Sequence, residues 1–322
     1  MSRVAAIDCG TNSIRLLIAD ITDGNFKEVV RQMEIVRLGQ GVDQNKSFHP
    51  DAIARTLSAV EKFSAQISSK GVEKVRFCAT SATRDATNRK LFTEGVKKIL
   101  NVEVEVIPGE EEAELSFIGA TKELSQNEAP FLVVDIGGGS TEFVYGGKKV
   151  SAAKSVNIGC VRMSERHLNT QPPSMAQIAQ AIVDIDIAIA QAAQVVPISE
   201  AKSLIAVAGT ATTVAAAALN LENYDRYLIH LARIPAQSVH KVAGMFQSMR
   251  KEEISALGYM HPGRVDVIPQ VPWCYLESWR QLGPVNSLHL SQIFWMELLG
   301  HLQSRRRFGW IWRLKKTGRF TL

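Results

Sequence analysis

Two short segments gather residue types able to hold an oxyanion: Asp8-Cys9-Gly10-Thr11-Asn12-Ser13 and Asp135-Ile136-Gly137-Gly138-Gly139-Ser140-Thr141. In each, an Asp ends an apolar stretch and glycine lets the backbone turn with its N–H groups unobstructed. Hydroxyl and amide side chains then add donors. Such a nest suits a phosphate, and the Asp beside it suits a hydrated Mg2+ ion. Either segment alone could be an ordinary β-turn; two copies at equivalent places favour the phosphate reading. Three further places could join the chemistry. Glu110-Glu111-Glu112 stands at the expected start of a helix, where acids could do no more than complement the helix dipole. Arg84 could bind a phosphate through two donors and offset developing charge, although a lone Arg is usually a surface residue. Gly209 and Thr210 at a strand end could supply phosphate contacts or simply an N-cap, and the residues leave both open.

The pattern around these segments specifies the elements that carry them. Apolar residues 4–7 and 14–19 flank the first turn as two strands, and 26–38 reads as a third. A helix opens at Pro50-Asp51 with Ile53, Leu57, Val60 and Phe63 on one face and ends near Gly71. Strands over 75–79 and 102–107 alternate with helices over 85–100 and 110–123. After the polar segment 123–129, the best linker candidate, strands over 131–135, 141–145 and 152–157 repeat the opening layout of strand, Asp, Gly-containing turn, strand. Helices over 175–193 and 236–250 and a strand over 204–208 follow. The expected fold class is α/β, a duplicated domain with a cleft between the halves. The boundaries are set at 1–124 for the first domain, 125–268 for the second and 269–322 for a tail.

The paired loops resemble the phosphate loops of the actin, sugar-kinase and chaperone-ATPase superfamily, whose domains are ribonuclease-H-like. Within it, the chain resembles the exopolyphosphatase/guanosine pentaphosphate phosphohydrolase family. The matching stretches, in the family's order, begin with Ala6-Ile7-Asp8-Cys9-Gly10-Thr11-Asn12-Ser13, Ala79-Thr80-Ser81-Ala82-Thr83-Arg84-Asp85-Ala86 and Pro108-Gly109-Glu110-Glu111-Glu112-Ala113. They continue with Val134-Asp135-Ile136-Gly137-Gly138-Gly139-Ser140-Thr141-Glu142, Ile158-Gly159-Cys160-Val161-Arg162, Ala208-Gly209-Thr210-Ala211-Thr212 and Met260-His261-Pro262-Gly263-Arg264-Val265-Asp266. Together they cover about residues 1–268.

The resemblance implies Mg2+-dependent hydrolysis of a terminal phosphoanhydride bond of inorganic polyphosphate, with guanosine pentaphosphate as the alternative substrate. Glu112 matches the family's catalytic base; a carboxylate among acids and phosphate oxygens holds a proton more tightly, as accepting one from water requires. Glu142 matches a second functional carboxylate, and Arg84 matches a phosphate-binding Arg in the Ala-Thr-x-x-x-Arg loop. Asp135 is the favoured metal ligand, with Asp8 the other. Gly10, Thr11, Asn12, Ser13, Gly137, Gly138, Gly139, Ser140 and Thr141 are the expected substrate contacts, joined by Gly209 and Thr210. A non-catalytic phosphate sensor is the competing reading, and the full set of acids argues against it.

Composition removes other classes. The chain has 322 residues, 46% hydrophobic and 21% charged, with a net charge of +5 and a pI of about 9.0. That charge is local: the last 54 residues hold eight basic and two acidic side chains and all five Trp, leaving 29 basic and 30 acidic in 1–268. A near-neutral body does not read as a nucleic-acid binder. No apolar run reaches the roughly 18–20 residues of a membrane span, and the N-terminus does not resemble a signal peptide, so a cytoplasmic protein without membrane partners is expected. A homodimer is allowed. Four scattered Cys indicate neither disulfides nor zinc, and no P-loop or dinucleotide fingerprint is present.

From Pro269 the family pattern stops. Phe294-Trp295-Met296-Glu297 must be encoded TTY-TGG-ATG-GAR, which read from the third base gives Leu-Asp-Gly, resembling the family's missing late segment. The expectation is that one nucleotide was lost near codon 269, so that 269–322 is not the family's native C-terminus. As written, the tail could form a basic aromatic surface for polyanions or membranes, a weaker reading than loss of frame.

Overall fold

The computed structural model describes residues 1–23, 25–168 and 170–268, together with the backbone of 287–290, 313–314 and 320–321. Most of the tail, and with it the expectation of a basic aromatic surface, lies outside the described residues. Chain contacts divide the protein into two units between Pro108 and Gly109.

In the first unit, β1 (Ser2–Cys9), β2 (Ser13–Thr22) and β3 (Asn25–Ile35) form an antiparallel meander, and β4 (Lys74–Ala79) and β5 (Val104–Val106) add in parallel. The strand order is β3-β2-β1-β4-β5. The helices are α1 (Val42–Asn45), α2 (Pro50–Ser69), α3 (Ser81–Asp85) and α4 (Arg89–Leu100). Ala59, Val60, Phe63 and Ile67 of α2 and Phe92, Val96 and Leu100 of α4 lie at helical spacing and pack on Ile7, Ile14, Leu16 and Phe77 of the sheet. Phe92 meets Phe48 and Phe77 edge to face at centroid distances of 5.9 and 6.2 Å. The helix expected over 85–100 starts later, at Arg89: Asp85 closes α3, the chain is extended at Ala86, and Thr87 donates its N–H to the Lys46 carbonyl.

The second unit begins with α5 (Gly109–Thr121), then β6 (Phe131–Ile136), β7 (Thr141–Gly146) and β8 (Val150–Val156). Next come α6 (Cys160–His167), α7 (Met175–Ala193), β9 (Ser203–Val207), α8 (Ala208–Ala218), α9 (Arg226–Ile229), β10 (Arg233–Pro235), α10 (Ala236–Ser248) and α11 (Lys251–Ser255). β11 (Ser287–Leu290) pairs in parallel with β9; β12 (Arg313–Leu314) and β13 (Phe320–Thr321), outside this unit, pair with each other. The sheet order is β10-β11-β9-β6-β7-β8. Read as β8-β7-β6-β9-β11, it repeats the meander plus two parallel strands of the first unit, so the duplication expected from sequence holds. A segment of the tail supplies the fifth strand of that repeat.

The first-unit boundary differs from 124/125. Ala113, Phe117 and Ala120 of α5 pack on Phe131, Val133, Val144, Ile205 and Val207, so this helix belongs with the second sheet. The segment read as a linker is also tied there: Ser203 Oγ donates to the Glu128 carbonyl, and Lys202 N–H to that of Pro130. α7 is capped by a Ser174/Gln177 box. At 19 residues and mean hydropathy 1.2 it is long and apolar enough to cross a membrane by those measures, which the sequence reading had not credited to any segment. Its Ile178, Ala181, Ile185 and Ile189 join the second unit's core, as in a buried helix of a globular protein.

Candidate active site

Strand periodicity brings the acids of the second unit together. In β6, Phe131 and Val133 face α5, so Asp135 two residues on faces the same way. In β7, Val144 faces α5 and Glu142 shares its parity. Asp135 and Glu142 are direct partners in the β6–β7 register. Ser155 of β8 follows the same rule and stands opposite Glu142 across β7–β8. On α5, Glu112 and Ser116 are one turn apart on the face that carries Ala113, Phe117 and Ala120 to the sheet.

The result is a cluster of carboxylates in a dry setting. Glu142 is 1% exposed and Asp135 8%. Ser155 Oγ donates to Glu142 Oε1 at 2.7 Å, and Ser116 Oγ donates to Asp135 Oδ2 at 2.6 Å. Burial, then the negative charges of Glu112 and Asp135, push the Glu142 carboxyl well above the usual carboxylate range; hydrogen bonds from Ser155 and Ser140 pull against that rise. The proton affinity expected for Glu112 is thus evident at Glu142. Glu112 is half-buried and Glu110 exposed.

The glycine loop beside the acids is braced from one side. Gly137 N–H donates to the Ser140 carbonyl, closing the turn. The carbonyls of Gly137 and Gly138 accept from the N–H groups of Cys160, Val161 and Arg162, and Arg162 Nε donates to the Gly139 carbonyl at 2.6 Å. With its carbonyls held by α6, the loop keeps the amides of Gly138 and Gly139 out of its own backbone bonds, the arrangement an anion requires. Thr141 differs from the expectation: it is 0% exposed and donates its hydroxyl to the Ile158 carbonyl, a bracing contact. Ser140 likewise serves Glu142. Gly209 and Thr210 are not the cap residue; they lie in the first turn of α8, whose N-cap is Val207. Their first-turn position offers backbone donors to an anion. Ala208 beside them holds φ at 75° in the left-handed region, a strained backbone of the kind found at ligand sites.

In the first unit the same turn recurs, with Gly10 N–H donating to the Ser13 carbonyl. Asp8 faces Arg15 in the β1–β2 register, and the guanidinium lies 3.4 Å from Asp8 Oδ2. Asp8 is therefore matched by a cation across the register, whereas Asp135 stands opposite Glu142. The Thr11 hydroxyl, the Asn12 side-chain oxygen and the Thr83 hydroxyl are buried without a partner. Orphaned polar atoms cost about 1–3 kcal/mol each, and their grouping beside Gly10 is what a bound phosphate would relieve. Arg84 sits in α3 and donates through Nη1 to the Ile107 carbonyl at 2.9 Å. Sequence reasoning missed Arg15, Ser116, Ser155 and the bracing role of Arg162. The hairpin register could have flagged Arg15, since both turns close between residues three apart.

Among the described residues, no three His, Cys, Asp or Glu side chains group closely enough to hold a metal by themselves. Mg2+ does not need such a cage: it keeps several waters and takes one or two carboxylates plus substrate phosphate oxygens. Asp135 beside the glycine loop fits that requirement.

Known proteins with this architecture are informative. Residues 17–293 match the model of the Ppx/GppA phosphatase family. Exopolyphosphatase 2 of Mycobacterium tuberculosis is 45% identical over 277 residues, covering 83% of this chain and 87% of that protein. A guanosine-5'-triphosphate,3'-diphosphate pyrophosphatase of Vibrio atlanticus is 34% identical over 179 residues, 55% of this chain and 36% of that one. The crystal structure of an exopolyphosphatase from Cytophaga hutchinsonii superposes with a TM-score of 0.86 at 26% identity, covering 94% of this chain and 97% of the other. The motifs, the doubled sheet and these matches agree: the chain belongs to the Ppx/GppA phosphatase family.

Proposed function

We propose that this phosphoanhydride hydrolase releases terminal orthophosphate from inorganic polyphosphate in a Mg2+-dependent reaction. The observation that carries the reading is the convergence of Glu112, Asp135 and Glu142 over one sheet face beside a glycine loop whose Gly138 and Gly139 amides take no part in its own backbone bonds. The 45% identity to a mycobacterial exopolyphosphatase supports polyphosphate as the substrate.

In this reading the Gly138 and Gly139 amides and the first turn of α8 bind the terminal phosphate, and Glu112 takes the proton of the attacking water. Glu142 orients that water. Asp135 holds Mg2+, which supplies neutralisation of the phosphate charge and of the leaving oxygen. Within the first unit, the Gly10–Ser13 turn and Arg84 are the groups suited to phosphate oxygens. A cytoplasmic location belongs to the same proposal, supported by the buried free thiols of Cys9, Cys78 and Cys160.

Guanosine pentaphosphate is the second reading, favoured by the identity to the Vibrio protein, because it also presents a terminal phosphate. The test is phosphate release from both substrates side by side with Mg2+. Release from polyphosphate, lost in Glu112→Ala, supports the proposal; faster release from guanosine pentaphosphate replaces the substrate. Binding of either without release by the wild type makes the protein a sensor and sinks the catalytic roles.

A further inference from the structure

Two serines, Ser116 buried and Ser155 half-buried, stand in places where packing alone does not call for them. Ser116 is 1% exposed in the stripe of α5 that otherwise presents Ala113, Phe117 and Ala120 to the sheet. A hydroxyl buried in such a stripe costs free energy unless it is hydrogen-bonded, and its partner here is Asp135 Oδ2 at 2.6 Å. Ser155 comes from a different element, β8, and its partner is Glu142 Oε1 at 2.7 Å. The start of α5 lies directly over it: a Cβ on Gly109 would come within 2.6 Å of the Ser155 Cβ. Glycine at 109 thus lets the helix that carries Glu112 begin against the serine that holds Glu142.

We propose that Ser116 and Ser155 are positioning residues, one hydroxyl for each of the two facing carboxylates, which fix Asp135 and Glu142 in the orientation that phosphoanhydride cleavage uses. The inference rests on the reading of this cluster as the hydrolytic site. Asp135 and Glu142 face each other across β6–β7 and repel when both are charged. That repulsion favours turning each carboxylate about its last side-chain bond, away from the other. A hydroxyl on Oδ2 of one and Oε1 of the other opposes that turn, and the two donors arrive from opposite neighbours, α5 and β8. Ser140 adds a second donor to Glu142, which makes Glu142 the more firmly held of the pair.

The experiment compares Ser116→Ala, Ser155→Ala, Ser116→Cys and Ser155→Cys with the wild type in Mg2+-dependent phosphate release from polyphosphate, alongside thermal melting. Loss of such supporting contacts typically costs 10–100-fold, so each Ala variant should lose about 10-fold or more in kcat. KM should stay within about twofold and the melting temperature within a few degrees. Cys keeps the volume and a weak donor, so it should recover part of the rate. A kcat unchanged in both Ala variants overturns the proposal. So does a loss that Cys leaves unrelieved and that tracks a fall in melting temperature, the mark of a merely structural role. Should an Ala variant fail to fold, the volume-preserving Cys variant decides by the same criteria. A wild type that releases no phosphate from either substrate would instead defeat the functional reading beneath it, a different result from an active enzyme indifferent to the serines.

Discussion

The two glycine turns share one hairpin geometry and differ in what stands opposite the aspartate. In both, an Asp stands one residue before the end of the first strand, a glycine two residues later donates its N–H to a serine carbonyl three residues on, and the second strand returns antiparallel. The residue paired with Asp8 is Arg15, whereas the residue paired with Asp135 is Glu142. One turn therefore carries a neutralised ion pair and the other two acids pushed together. The same backbone turn occurs twice, and one register position separates the two: an acid faces a cation in the first unit and a second acid in the second. The braces differ as well. The first turn hangs its carbonyls on the N–H groups of Val36, Arg37 and Gly39, the second on the start of α6 and the Arg162 side chain.

The sharpest way to break the comparison is to remove charge at that register position. Glu142→Gln should lower kcat for phosphate release by about 10²–10⁴, the usual contribution of a side chain that handles protons. Its effect on stability should run the other way. Burial, and then the charges of Glu112 and Asp135, make the Glu142 carboxyl of the folded chain hold its proton to a higher pH than an ordinary glutamate does. As pH rises through the unfolded value, the unfolded chain ionises while the folded one still holds its proton, so stability falls with rising pH across that window. In the presence of a chelator, Glu142→Gln should melt above the wild type at neutral pH and lose that advantage below pH 4.5. A wild type with no such pH slope would mean that the acids are not strained.

Next in size is Gly159→Ala. A Cβ at 159 would fall 2.6 Å from the carbonyl carbon and oxygen of Gly138 and 2.7 Å from the Gly139 nitrogen. These are backbone atoms of the glycine loop and cannot turn aside. Overpacking of this kind costs about 1–3 kcal/mol, and here it also moves the amides to which the proposed function assigns phosphate, so on that proposal KM for polyphosphate should rise together with the loss of stability. Urea denaturation and steady-state kinetics measure the two effects.

Arg15→Gln should follow, at about 1–2 kcal/mol of destabilisation, less than a fully buried pair because the contact is 3.4 Å and its partners are 17% and 10% exposed. The variant leaves Asp8 largely buried without its cation. Hydrogen exchange should show the loss confined to β1 and β2. The comparison predicts opposite signs at one register position, stabilising for Glu142→Gln and destabilising for Arg15→Gln; equal signs would collapse it.

Much of this was legible in the sequence, and what was not has identifiable causes. The turns are local: Asp, Gly and hydroxyl residues within a few positions announce a nest, and alternating or helical apolar spacing places it between strands. The contribution of Ser155 was hidden because it depends on β8 pairing with β7, a contact the local pattern does not specify, and that of Ser116 because a single Ser in an apolar stripe has the profile of a tolerated substitution. The placement of α5 was misjudged for a related reason. Helix 109–121 precedes a polar segment and so reads as the end of the first domain, but its Phe117 packs on strands that come later in the chain. Gly209 and Thr210 were left between two roles because one register step separates an N-cap from a first helical turn.

The smallest effect should come from Gly39→Ala, the first-unit counterpart of Gly159→Ala. A Cβ at 39 would lie 2.3 Å from Cγ2 of Thr11 and 3.1 Å from the Ala82 Cβ. The main obstacle is thus the tip of a side chain, which can change rotamer, and not loop backbone. Thr is stiff at χ1, so the adjustment is not free, and a cost of about 1 kcal/mol is expected. Replacing Thr11 by Ser removes the offending methyl and keeps the hydroxyl, so Thr11→Ser should restore most of the stability lost in Gly39→Ala. No side-chain change offers the same relief to Gly159→Ala. A double-mutant cycle on Thr11 and Gly39, read by urea denaturation, should therefore give a favourable coupling close to the cost of Gly39→Ala itself. A coupling near zero would mean that backbone around the first turn, and not the Thr11 methyl, resists the added carbon, and the two turns would then be braced with equal rigidity.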